Sequence, residues 1–456
     1  MTKHLKLLNK RTVWLFVIFG LLYIAIAGRL FYIQVLNNDK YRALAAQLRV
    51  RQLVLPATRG TIYDRVGRQL ATDVPACSIY VHPQKIKDKT DTARELASLI
   101  KTDESAVLKL ISTDSKFAYV SRQIPVEIGD AVKQAELGQV GVLREPKRVY
   151  PSGNLAAHIL GFTNIDGKGI EGIERSANSY LTGRNGYIIA EVDSNSRIIP
   201  ETKRGSIPPA DGNDLVLTID AYLQHITEEA LAKSYEQFHA VGATAIVMDP
   251  NTGEILALAN CPSYDPNNRK AASPESWRNR AVTDLYEPGS TLKLITVAAG
   301  LEEGMSPTEV IATCTREGMQ IGKRRVRCTL HAPYLAGHGN VDMFNIIRES
   351  CNIGAATIAL RIGPDKLYSY LKAFGLLDKP GSGLSGESVL GLSSPESWPA
   401  IKLSNIGFGQ GIAVSPLQMA NAYAAVANGG NLMQPQIIRE IRQKDGTVIQ
   451  PFKPKV

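Results

Sequence analysis

The sequence predicts an α+β fold held by a single N-terminal transmembrane helix, and three observations lead there. Positive charge and an uninterrupted apolar run are concentrated at the N-terminus. A polar, proline-bearing stretch, RGSIPPADGND (204–214), divides the remainder of the chain. Beyond it, strand, helix and hairpin patterns succeed one another, which implies a sheet flanked by helices. The chain has 456 residues, 44% of them hydrophobic and 21% charged. That is enough for two or three domains of ordinary globular composition.

The anchor comes first. Lys3, Lys6, Lys10 and Arg11 precede the uncharged run Val13 to Gly28, and LFYIQVL carries the apolar pattern past Arg29 to Leu36. Sixteen residues before the first charge is short of the ~20 needed to span a bilayer, but Arg29 can extend its guanidinium to the interface. We therefore place a cytoplasmic tail at 1–12 and a transmembrane helix at 13–36. A cleaved signal peptide is the alternative, weakened because AIAGRLFYIQ stays apolar where a cleavage site would be followed by a polar start. The cationic end stays in the cytoplasm and the bulk of the chain lies outside the cell membrane. Residues 1–60 hold ten Lys and Arg against one acid, Asp39, which accounts for the whole net charge of +9. The other 396 residues carry 42 charges of each sign, so the basicity belongs to the anchor and no nucleic-acid partner is implied.

Residues 37–205 form a first extracytoplasmic module. RGTIYDRVGRQLA (59–71) reads as two short extended pieces around a Val-Gly turn, followed by the alternating strand CSIYVHP, and TARELASLIK reads as a helix. KRVYPSGNLAAHILGFTNIDGKGIEGIERSANSYLTGRNG (147–186) is rich in glycine turns and suggests structure and partner contact rather than catalysis. The second module occupies 210–456. LVLTID reads as a strand, AYLQHITEEALAKSYEQF as a helix, and TAIVMDPNTGEILALAN as a hairpin turning at Pro250 to Gly253.

EPGSTLK (287–293) comes next, where a Pro-Gly turn delivers Ser290 to a helix start. Positions i and i+3 share a helix face, so Lys293 can reach the Ser290 hydroxyl. A serine needs an adjacent base, and a lysine supplies one if desolvation keeps it neutral. The free N–H groups of the helix start favour the negative charge that develops when a carbonyl is attacked. Ser-x-x-Lys also occurs at Ser98/Lys101 and Ser369/Lys372, but both lie inside amphipathic helical patterns. Some sixty residues on, NIIRESCNIGAA places Ser350, Cys351 and Asn352. There a hydroxyl can relay a proton and the Asn352 carboxamide can hydrogen-bond a substrate amide. Ser176-Ala177-Asn178 fits the same pattern, so the information lies in the ordered pair.

With Ser-x-x-Lys followed by Ser-x-Asn, the chain resembles the penicillin-recognising serine acyltransferases. The Arg-Gly…Asp-Arg-x-Gly opening and the Gly-Ile-Glu-Gly-Ile-Glu run are similar to the elongated pedestal or dimerisation module of class B penicillin-binding proteins. GFGQGIAVSPLQMANAYAAVANGG (407–430) also matches the family, although by itself it reads as a loop and a packed helix.

The resemblance implies a peptidoglycan D,D-transpeptidase of the division or sporulation type, which needs no metal or organic cofactor. Ser290 would attack the stem peptide, Lys293 act as base, Ser350 relay the proton and Asn352 bind substrate. The implied partners are peptidoglycan stem peptides, beta-lactams, a polytopic glycosyltransferase, the cytoplasmic membrane and a second copy of the chain. One departure is visible. The family's Lys-Thr-Gly or Lys-Ser-Gly strand is absent before Val456, since Lys444-Asp445-Gly446-Thr447 reads as a hairpin turn. The chain thus looks cut off before its active site is complete, and a non-catalytic membrane scaffold is the alternative.

Of the five cysteines, Cys314 and Cys328 bracket a plausible hairpin whose ends could meet in a disulfide, permitted outside the membrane. A metal site from Cys314, Cys328, His331 and His338 is conceivable by ligand type but loose in spacing, and plain buried thiols are the third possibility. Cys351 reads as a small packing residue.

Overall fold

The computed structural model describes residues 2–192, 199–203, 205–332 and 334–456. They gather into two compact units, residues 1–57 with 184–210, and residues 58–183 with 211–456.

The first unit opens with the helix Thr2–Phe31, continues through a π-helical turn at Tyr32–Leu36 and resumes as the helix Asn38–Arg49. Trp14, Phe16, Phe19 and Tyr23 are all exposed on it, which water penalises and a bilayer does not. Lys10–Leu36 is long and apolar enough to cross a membrane. Its 27 residues rise about 40 Å, against a hydrocarbon core of about 30 Å. Three strands, Val50–Leu55, Gly186–Glu191 and Gly205–Ile207, then pair antiparallel in that order, with Leu55 opposite Gly186 and Tyr187 opposite Ile207.

The second unit is built on a seven-stranded sheet. Its path runs Val448–Pro451, Ile438–Arg442, Asp214–Leu217, Ile62–Tyr63, Gln69–Val81 and Ala118–Ile124, and Val140–Val149 lies along Gln69–Val81. The short strand Ile62–Tyr63 is the joint, parallel to Asp214–Leu217 and antiparallel to Gln69–Val81. Strands from both sides of the polar stretch at 204–214 therefore share one sheet. One core of Ile62, Leu70, Leu160, Ile173, Leu215, Leu217, Ile255 and Leu258 is continuous across it.

The Arg-Gly…Asp-Arg-x-Gly opening and the second glutamate of Gly-Ile-Glu-Gly-Ile-Glu meet in this unit. Arg59 and Arg148 each lie 2.6 Å from Glu174, and Arg148 is also paired with Asp73, all of them buried. Arg59 donates further bonds to Asn178, Thr182 and the carbonyls of Gly167 and Glu174. A buried charge persists only when so compensated. Asp64 closes the neighbouring turn by accepting from the N–H groups of Val66 and Arg68 around Gly67, whose φ is +92°.

The strand, helix and hairpin expected after residue 210 are present. Asp214–Leu217 leads to the helix Ala221–Gln237, capped by Asp220, which accepts from the N–H groups of Tyr222 and Leu223. Ala243–Met248 and Ile255–Cys261 then pair antiparallel. A further core of Leu292, Ile295, Ala299, Ala355, Ile358, Leu403 and Ile406 packs three helices together, Lys293–Glu302, Asn352–Ile362 and Ala400–Gly407. Two of these helices begin at the expected motif residues.

Candidate active site

EPGSTLK folds as a single 3-10 turn, Gly289–Leu292, that runs into the helix Lys293–Glu302. Gly289 has φ +55°, a left-handed conformation that costs a glycine little. Its N–H donates to the carbonyl of Gly409 at 2.9 Å. A Cβ at Gly409 would sit 2.0 Å from the Gly289 oxygen, so the GFGQG loop needs glycine to lie against the serine turn. The same loop is fixed at three more places. Tyr286 and Val414 exchange backbone bonds at 3.0 Å, Glu287 accepts from the N–H of Gly411, and Thr296 donates to the carbonyl of Gly407. Tyr423 donates its hydroxyl hydrogen to the carbonyl of Thr291 from the helix Pro416–Ala427.

The Ser350 segment approaches from the other side. The helix Met343–Arg348 ends, Ser350 adopts φ +53°, and Cys351 caps the next helix, Asn352–Ile362, by accepting from the N–H of Gly354. A non-glycine residue in the left-handed region costs roughly 1–2 kcal/mol. The kink it makes turns the Ser350 hydroxyl toward Ser290.

Four groups converge on the Lys293 amine. It lies 3.2 Å from Ser290 Oγ, 2.9 Å from Ser350 Oγ, 2.5 Å from the Ser350 carbonyl and 2.7 Å from Asn352 Oδ1. Ser350 Oγ is in turn 2.8 Å from Ser290 Oγ. The Asn352 amide is oriented by its other end, which donates to the carbonyl of Arg327 at 3.0 Å. Lys293 is 1% exposed, whereas both serines are open to solvent. Burial lowers the Lys293 pKa to about 8, and the neighbouring Cys328 and Cys351 oppose the shift.

The acceptors decide where the protons go. The Ser350 carbonyl and Asn352 Oδ1 can only accept, so they take both hydrogens of a neutral amine. Its lone pair is then left to face the two hydroxyls. A neutral lysine in this cage is thus aimed as a base at Ser290 or Ser350.

All four sequence-identified residues meet here. The other copies of the motifs do not. Ser98 lies within the helix Lys89–Ile100, Ser369 donates to the carbonyl of Asp365 within its own helix, and Asn178 is engaged by Arg59. Sequence reasoning missed Glu287, Thr296 and Tyr423, whose contacts are long-range and leave no local spacing to find. The five cysteines are free, and Cys314 and Cys328 lie 3.6 Å apart as thiols.

Known proteins share this plan. The family model described as penicillin binding protein transpeptidase domain matches residues 243–456, and the one described as penicillin-binding protein dimerisation domain matches residues 54–217. Stage V sporulation protein D of Bacillus subtilis is 32% identical over 95% of the chain and 67% of its own length. Peptidoglycan D,D-transpeptidase FtsI of Buchnera aphidicola is 34% identical over 96% and 76%. The crystal structure of penicillin-binding protein 2X from Streptococcus thermophilus superposes with a TM-score of 0.69 at 26% identity, covering 89% of this chain and 63% of that one.

Proposed function

The chain belongs to the class B penicillin-binding proteins, and from that membership we propose that it is a peptidoglycan D,D-transpeptidase working through an acyl-enzyme on Ser290. Ser290 Oγ attacks the carbonyl of the D-Ala-D-Ala bond, and Lys293 takes the hydroxyl proton. Ser350 passes that proton to the leaving nitrogen as the C–N bond breaks and D-Ala departs. The amine of a neighbouring stem peptide then attacks the ester carbonyl, its proton passes through Ser350 and Lys293 to Ser290 Oγ as the C–O bond breaks, and the new amide completes the cross-link. Asn352 holds Lys293 in place and lies where its amide can meet a substrate amide. A penicillin presents the same serine with a strained acyl group.

The observation that carries this reading is the buried Lys293 Nζ, within hydrogen-bond reach of both serine hydroxyls and of two groups that can only accept, the Ser350 carbonyl and Asn352 Oδ1. General-base assistance of this kind contributes about 10²–10⁴-fold. Residues 37–205 serve as a pedestal or dimerisation module and residues 210–456 as the transpeptidase domain. The Lys10–Leu36 helix is a single-pass anchor with the basic tail in the cytoplasm. A polytopic glycosyltransferase of the wall-building machinery is the partner that fits this arrangement. Labelling of the membrane-embedded protein by a fluorescent penicillin tests the reading. A covalent label is expected that Ser290→Ala abolishes, and a folded protein that takes no label would be the scaffold instead.

A further inference from the structure

Beside the serine cage lie four soft donor atoms that transpeptidation does not use. Cys314 ends the strand Ala312–Cys314, Cys328 follows the hairpin of Met319–Ile321 and Arg324–Val326, His338 precedes the strand Gly339–Val341, and Cys351 caps Asn352–Ile362. Their ligand atoms all lie within 4.8 Å of one another. Cys328 Sγ is 3.6 Å from Cys314 Sγ and 3.7 Å from Cys351 Sγ, and Cys314 Sγ is 3.4 Å from His338 Nδ1. A tetrahedral zinc ion with Zn–S near 2.3 Å and Zn–N near 2.0–2.1 Å separates two sulfurs by roughly 3.8 Å, and a sulfur and a nitrogen by roughly 3.6 Å. A disulfide would need about 2.05 Å.

We infer that Cys314, Cys328, His338 and Cys351 form a closed structural zinc site that holds Ser350 and Asn352 in place around Lys293. The cluster takes Cys351 from a separate helix where the sequence suggested His331. Two backbone groups already serve the sulfurs as outer ligands, since the N–H of Asn352 donates to Cys328 Sγ at 3.1 Å and that of Gly354 to Cys351 Sγ at 3.4 Å. Four protein ligands leave no open position, so the ion takes no part in the chemistry. On loading, three thiols lose their protons to solvent, His338 binds as the neutral imidazole, and the site carries one net negative charge.

The local chain explains the need. Between Cys314 and Val341 the strands are three residues long and reach the core through few side chains, with Val326 and Val341 buried and Met319 and Ile321 packed against it. Gly337 and Gly318 are turned tightly enough that a Cβ would sit 2.2 Å from the Cys314 oxygen and 2.3 Å from the Val326 oxygen. Cys351 stands between Ser350 and Asn352, and Cys328 follows Arg327, whose carbonyl orients the Asn352 amide. One ion would thus tie both walls of the cage together. Its function rests on the acyl-transfer reading above, but its existence does not.

The test is zinc content of the full-length protein, purified in detergent under reducing conditions and measured by mass spectrometry of the metal. About one zinc per chain is expected, falling at least tenfold in Cys314→Ser and in Cys328→Ser. Cys77→Ser and Cys261→Ser keep it. His338→Cys, which preserves a soft ligand, keeps the zinc, and a cooperative thermal unfolding transition in Cys314→Ser and Cys328→Ser shows that their loss of zinc is not misfolding. Chelation should slow penicillin labelling at least tenfold, with recovery on adding zinc. A protein that labels normally with less than a tenth of an equivalent of zinc, or one whose peptide map shows Cys328 and Cys351 joined as a disulfide, overturns the site. Ser290→Ala should retain zinc while losing label, so a failure of the catalytic reading shows in the label alone.

Discussion

If neutral Lys293 is the base, acylation has a pH dependence that the buried cage sets. With the pKa lowered from 10.5 to about 8 by desolvation, the amine is about 1% neutral at pH 6, about 9% at pH 7 and about 91% at pH 9. The second-order rate constant for labelling by a penicillin should therefore rise almost tenfold per pH unit from 6 to 7 and level off above 9. At its ordinary value the same lysine would be about 300-fold less available at neutral pH. Stopped-flow labelling with a fluorescent penicillin between pH 6 and 10 reads this directly, with Lys293→Ala as the control that should be slow and flat. The sign also holds for stability. A base with a depressed pKa binds its proton less well folded than unfolded, so Lys293 favours the folded state increasingly as pH rises from 8 towards 10.5. A wild-type profile that is flat from 6 to 9, or that is still rising tenfold per unit between 9 and 10, would refute the assignment of a neutral Lys293 with a lowered pKa as the base.

Other perturbations act on the same contacts. Ser350→Gly removes the relay hydroxyl but suits φ +53°, so labelling should fall about 10²-fold while thermal stability holds or rises by up to ~1 kcal/mol. Gly409→Ala drives a Cβ to 2.0 Å from the Gly289 oxygen, and because the clash is with backbone the serine turn must move. Labelling there should drop at least tenfold while the protein still folds. Glu174→Gln strands Arg59 and Arg148 in a buried network and should cost about 3–5 kcal/mol in thermal unfolding of the full chain. Its penicillin-labelling pH profile should keep its inflection.

The residues of the cage were legible in the sequence because two short spacings encode them. Ser290 and Lys293 are one helical turn apart after a Pro-Gly break, and Ser350 and Asn352 flank a single residue. That the two pairs meet depends on the left-handed kink at Ser350 and on helices packed through Ile295, Ala355 and Ile358, none of which leaves a local pattern. The hairpin Ala243–Met248 with Ile255–Cys261 was readable because its turn is short. The parallel pairing of Ile62–Tyr63 with Asp214–Leu217 was not, because strands some 150 residues apart share no turn chemistry. Arg59 and Glu174 stood out as motif residues without a reason, and the ion network supplies it. The cysteines illustrate the same limit. Cys314, Cys328 and His338 are near neighbours in sequence, but the fourth ligand atom arrives on the helix after Ser350, and His331 does not join the cluster.

Acyl transfer through this cage requires that Ser290 carries the acyl group. Incubating the protein with a penicillin, digesting it and mapping the adduct by mass spectrometry locates that group. One penicilloyl group on the peptide that contains Ser290 is the expected result. An adduct on any other residue, or none on a protein that remains folded, would contradict it.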